Sequence, residues 1–84
     1  MEEIIEALIK ERNRQIKLAY GGNTDEFDKS NSKNDWIAYC NAYLGRAAEK
    51  VLRNEKENQD FRTNMIKVGA LVIAALEANE KGYC

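Results

Sequence analysis

One stretch restricts this chain more than any other. From Val68 to Leu76 it reads Val-Gly-Ala-Leu-Val-Ile-Ala-Ala-Leu, with no polar side chain on any face. The chain contains no proline, so nothing interrupts a helix there. A helix that is apolar around its whole circumference must be covered on every side. The chain has 84 residues, enough for a single helical domain over 1–84 and too few to bury a large core unaided. The two other long helices read below cannot surround this one. The expectation is an all-α fold, three main helices per chain forming an oligomeric helical bundle. The copies of this homo-oligomer would meet through the helix around Val68 to Leu76.

The first helix is expected over Glu2 to Tyr20. Ile4, Ile5, Leu8, Ile9, Ile16, Ala19 and Tyr20 recur near helical spacing. Glu2, Glu3 and Glu6 stand where the helix dipole favours negative charge, and Gly21 is suited to cap the far end. Residues Gly21 to Lys33 read as a long polar loop, a lid or a connector pinned by Phe27. The second helix opens among the capping residues Ser32 to Asp35 and runs to about Asn54. Its stripe is Trp36, Ile37, Cys40, Tyr43, Leu44, Ala47, Ala48, Val51 and Leu52. The small residues Gly45, Ala47 and Ala48 would let another helix approach closely. Glu55 to Asp60 reads as a charged turn with Asp60 as a cap. The third helix is expected from Phe61 to about Glu80, ended by Gly82.

Composition excludes several classes. There is no His, so a His-based nucleophilic triad is impossible. Cys40 and Cys84 have no metal-ligand spacing. No metal and no cofactor are therefore expected. Cys40 reads as a small core hydrophobe and Cys84 as a frayed, exposed terminal thiol that could pair between subunits in air. With two cysteines, no framework and no leader, a cytoplasmic setting is expected. No apolar run approaches the roughly 18–20 residues that span a bilayer. Thirteen basic residues against fourteen acidic ones give a net charge of −1, which argues against a dedicated nucleic-acid binder.

The acids of Glu2-Glu3-Ile4-Ile5-Glu6 and Glu57-Asn58-Gln59-Asp60 superficially match divalent-cation spacing. They read better as solvated helix ends and caps. A basic strip is more informative. Arg46, Lys50 and Arg53 recur at steps of four and three on one face of the second helix. Arg62 and Lys67 precede the apolar run of the third. Tyr20, Tyr39 and Tyr43 could place rings near these cations, a combination suited to phosphate and base. A plain charged face, with Arg46 against Glu49 and Arg53 against Glu57, is the alternative.

The order of residues also resembles small phage-type proteins related to the all-α MazG-like nucleotide pyrophosphatases. The resemblance rests on Glu11 to Gln15 in the first helix, Asp35-Trp36 opening the second, and Phe61-Arg62 through Glu77-Ala78 in the third. It implies metal-binding acids around Gly45 and again on the third helix. The corresponding residues are Ala42, Tyr43 and Arg46, then Asn64 and Lys67, all neutral or basic. The resemblance therefore implies a nucleotide-sized groove without its hydrolytic centre, located in the host cytoplasm if the chain is phage-encoded. The expected ligand-binding residues are Tyr43, Arg46, Lys50, Asn64 and Lys67, with Arg46 and Lys67 on phosphate and Tyr43 on a base. The expected function is capture of an anionic nucleotide-like ligand without catalysis, of the kind a phage counter-defence protein would use to sequester a signalling nucleotide. The alternatives are an oligomeric interaction module or inhibitor of a host protein, and a metal-dependent pyrophosphatase using Glu49 and other acids.

Overall fold

A computed structural model describes the backbone of residues 1–20, 25–52 and 58–84, and the side chains of 1–17, 28–49 and 61–84. The order is α1 (Glu2–Tyr20), α2 (Asp25–Ser30), α3 (Lys33–Leu52) and α4 (Asn58–Glu80). No strand occurs among the described residues, so the fold is all-α.

Local chemistry sets the helix ends. The Asp35 amide N–H donates to Ser32 Oγ at 3.1 Å, and the Ser32 N–H donates to Asp35 Oδ2 at 2.8 Å. This reciprocal box satisfies two donors that a helix start leaves open. At the far end Gly82 has φ +79°, a left-handed conformation that glycine adopts without a Cβ penalty. It lets the Tyr83 N–H reach Ala78 O at 2.9 Å and the Gly82 N–H reach Asn79 O at 3.0 Å, closing α4 with a left-handed cap.

Three expectations need correction. The segment 21–33 is not a structureless loop, because it contains the six-residue helix α2. The helix expected from Phe61 begins at Asn58, so Asp60 stands inside the first turn of α4 and does not cap it. Cys84 is not frayed. It is half-buried against the cluster around Trp36, Ala74 and Ala78, and its carbonyl accepts from Asn79 Nδ2 at 2.9 Å. The expectations for Gly21, Phe27, Tyr20, Val51, Leu52 and the Arg53–Glu57 pair fall outside the described residues or side chains.

Helix α4 is the hub. Helices α1, α2 and α3 all pack on it, and the first and third scarcely touch each other among the described residues. Trp36 packs by Ala74 and Ala78, while Tyr43 lies by Lys67, so α3 runs antiparallel to α4. Helix α1 crosses α4 where Leu8 sits over Gly69. A Cβ at Gly69 would overlap Leu8 Cδ2, so the Leu8 side chain would have to turn aside to admit it. Gly45, expected to serve such an approach, has nothing within 4 Å of where its Cβ would be.

The packing of α4 inverts the usual pattern. The buried residues are Ala70, Ala74 and Ala78, at four-residue steps. Phe61, Met65, Val72 and Leu76 are 40–60% exposed, and at 3.6 residues per turn they lie within about 60° of one another. Ile4, Ile5 and Ile9 of α1, and Ile37 and Leu44 of α3, are also exposed. Among the described residues no large side chain is fully buried. The radius of gyration is 13.6 Å, against about 12 Å for a compact chain of this length.

Candidate ligand-binding site

Because α1 and α3 lean on α4 without closing on each other, a groove opens between them. It holds a cavity of about 310 Å³, near the lower end of small-ligand sites. Leu71 and Ala74 of α4 form its floor, and Asp28 of α2 contributes from the side. Arg12 and Gln15 of α1 form one wall. Trp36, Tyr39, Ala42, Tyr43 and Arg46 form the other. The α3 residues recur at three- and four-residue steps, which places them on one helical face. The Trp36 and Tyr39 rings meet edge to face, with centroids 6.1 Å apart and planes at 86°, a favoured aromatic geometry.

Two of the expected cations meet at one ring. The Arg46 guanidinium lies 4.7 Å from the Tyr43 ring centroid, and Lys67 Nζ lies 5.6 Å from it. Both are within the range at which the ring quadrupole attracts a cation. Of the expected residues, Tyr43 and Arg46 line the cavity, and Lys67 joins them at its Tyr43 end. Asn64 is half-buried one turn before Lys67 and is not part of the lining. The side chain of Lys50 lies outside the described residues.

The opposite end was not foreseen. Arg12 reaches Asp28 Oδ2 at 3.6 Å and Glu77 Oε1 at 3.2 Å, and its side chain is only 12% exposed. It ties α1 to both α2 and α4 and balances two carboxylates. The Asp28 side chain is 6% exposed. Gln15 donates from Nε2 to Glu11 Oε2 at 3.2 Å, and its Oε1 is buried without a donor. The Tyr39 hydroxyl donates to Asn31 Oδ1 at 3.3 Å, tying α3 to the chain just after α2. The sequence contained one usable signal: Arg12 and Gln15 stand three residues apart on one face. Nothing local connects either to Asp28.

A second, shallower cavity of about 300 Å³ lies where α1 crosses α4, among Lys10, Glu11, Arg14, Arg62 and Thr63. Arg14 holds Glu11 with two hydrogen bonds of 2.7 Å. These bonds keep the Glu11 carboxyl below its ordinary pKa, against a smaller opposing effect of burial. Burial raises the Cys40 thiol above its ordinary value. Among the described residues no three Cys, Asp or Glu side chains come together as a metal site, and no helix is long and apolar enough to cross a membrane.

The fold and groove together define an all-α helical protein with a small, aromatic-walled cleft. Comparison with protein-family models, curated proteins and solved structures finds no match to this chain.

Proposed function

We propose that the groove captures an anionic ligand with a planar ring, a nucleotide or close analogue, without cleaving it. The observation that carries this reading is the Tyr43 ring flanked by Arg46 and Lys67 at one end of an aromatic-walled cavity. Charged N–H donors to phosphate are stronger than neutral ones, and the rings of Trp36 and Tyr39 offer an apolar wall for a base. Cleavage is not part of the reading because Ala42, Tyr43 and Arg46 occupy positions where a MazG-like relationship would require acids. Calorimetry with a panel of linear and cyclic nucleotides tests it. Micromolar binding that weakens about tenfold or more in Arg46→Ala is the expected result. Binding no tighter than millimolar across the panel would overturn the site. Magnesium-dependent release of pyrophosphate above background would overturn the non-catalytic reading.

A second reading is self-association, which can coexist with the first. Its support is the exposed stripe Phe61, Met65, Val72 and Leu76 on α4, with Ile5 and Ile9 on α1. Exposed apolar surface of this kind marks an interface more often than a free surface. The same face could instead meet a different protein, and the mass of the purified chain in solution distinguishes the two.

A further inference from the structure

We infer that α4 pairs with α4 of a second copy of this chain, antiparallel and about a two-fold axis, with Arg62 of each chain beside the partner's Glu80. This rests on the reading of the α4 stripe as a self-association surface and names the occupant of that surface.

The argument starts from the charges that border the stripe. Among the described residues, α4 carries four ionisable side chains: Arg62, Lys67, Glu77 and Glu80. Two are engaged within the chain, Lys67 at the Tyr43 ring and Glu77 with Arg12. Arg62 and Glu80 are exposed, and neither enters an ion pair among the described residues. Eighteen residues separate them, which is about five full turns, so they lie on one line about 27 Å apart along the helix. That line runs along one edge of the stripe, about 70° from the middle of Phe61, Met65, Val72 and Leu76. Glu80 is the last residue of α4, and the last turn holds no basic residue. The helix dipole favours a cation there, so the helix itself gives no reason for the sign at Glu80.

A two-fold axis brings the same edge of two antiparallel helices together, and residue i meets j as j meets i. Placing Arg62 opposite the partner's Glu80 fixes the register with nothing left to adjust. That register sets Met65 opposite the partner's Leu76, Phe61 opposite the partner's Asn79, and Val72 beside its own copy, all to within about 3 Å along the axis. All four of these residues are exposed. Apolar and charged residues thus demand the same register independently. Helix α1 crosses α4 at Gly69, close to the centre of the pair, so its exposed Ile5 and Ile9 stand level with the middle of the stripe. A parallel pair in register would instead set Arg62 against Arg62 and Glu80 against Glu80. A foreign partner would not require the stripe to complement itself.

The test is the dissociation constant of the full chain by sedimentation equilibrium at low salt, with circular dichroism on the same samples. Arg62→Glu and Glu80→Arg each turn two attractions into two repulsions, and each should weaken the dimer about tenfold. The double variant Arg62→Glu/Glu80→Arg restores both pairs and should return to the wild-type constant. Salt should narrow the gap between single variants and wild type. Both positions are exposed, so helix content should not change; if one single variant does not fold, the other and the double variant decide. Single variants with the wild-type constant, or a double variant no tighter than the singles, would overturn the antiparallel pairing and leave self-association standing. A wild-type chain that stays monomeric at about 100 μM, well above the dissociation constants of ordinary-sized interfaces, would overturn both.

Discussion

Replacing Leu76 by glutamate tests the proposed self-association while leaving the fold of one chain in place. In the single chain Leu76 is 60% exposed and Val72 43%, so a partner that covers the α4 stripe removes the remaining surface from water. Full burial of a leucine contributes about 1.5–3 kcal/mol. Covering the exposed part of Leu76 is therefore worth about 1 kcal/mol in each copy. A carboxylate in its place adds an unpaired charge inside the interface, which costs several kcal/mol after relaxation. In a symmetric dimer each copy carries the change, so the dissociation constant should rise at least about 1,000-fold. The fold of the monomer should survive. Leu and Glu have similar helix propensities, and the position faces away from the buried alanines. The assay is light scattering coupled to size exclusion across a concentration series, with circular dichroism on the same samples. The wild-type chain should have the mass of an oligomer, and Leu76→Glu the mass of a monomer with unchanged helix content. A wild-type monomer at about 100 μM, well above the micromolar-to-picomolar dissociation constants of ordinary-sized interfaces, would refute the reasoning. So would a Leu76→Glu variant of unchanged mass.

Two further perturbations test the fold itself. Gly45→Ala and Gly69→Ala are the same change on two helices with opposite expected signs. At Gly45 the space is open, so alanine should stabilise by about 0.5–1 kcal/mol and raise Tm by several degrees. At Gly69 the new methyl meets Leu8, and overpacking of about 1–3 kcal/mol outweighs the propensity gain; a higher Tm for Gly69→Ala than for wild type would show that Leu8 turns aside without cost. Acid sensitivity follows from Glu11, whose carboxyl is held below its ordinary pKa chiefly by its hydrogen bonds from Arg14. A depressed folded-state pKa stabilises above the unfolded value of about 4.3, and the gain is lost as pH falls through the lowered value. Arg14→Ala should flatten that part of the acid stability profile measured by urea denaturation, and an unchanged slope would remove Glu11 from the account.

The helix ends were legible because their causes are local. Ser32 and Asp35 are three residues apart, the reach of a capping box, and Gly82 stops α4 through its own φ. The bounds of α1 agree with its periodicity for the same reason. Helix α2 was not legible, because six residues are too few for a 3.6-residue period to emerge from a polar composition. The convergence of Tyr43, Arg46 and Lys67 was half legible: the first two are neighbours on one helix, whereas the third needed α4 laid antiparallel beside α3.

Other features belong to tertiary structure alone. A run apolar on every face, such as Val68 to Leu76, has no period to say which side turns inward. Packing chose the alanines, because small residues let α1 and α3 approach α4, and that choice left Val72 and Leu76 outside. The same choice opened the groove, since two helices resting on one hub need not touch each other. Arg12 meets Glu77 across 65 residues of sequence and meets Asp28 from a different helix. Local sequence carries no record of such a contact, because its geometry exists only once three helices have been placed.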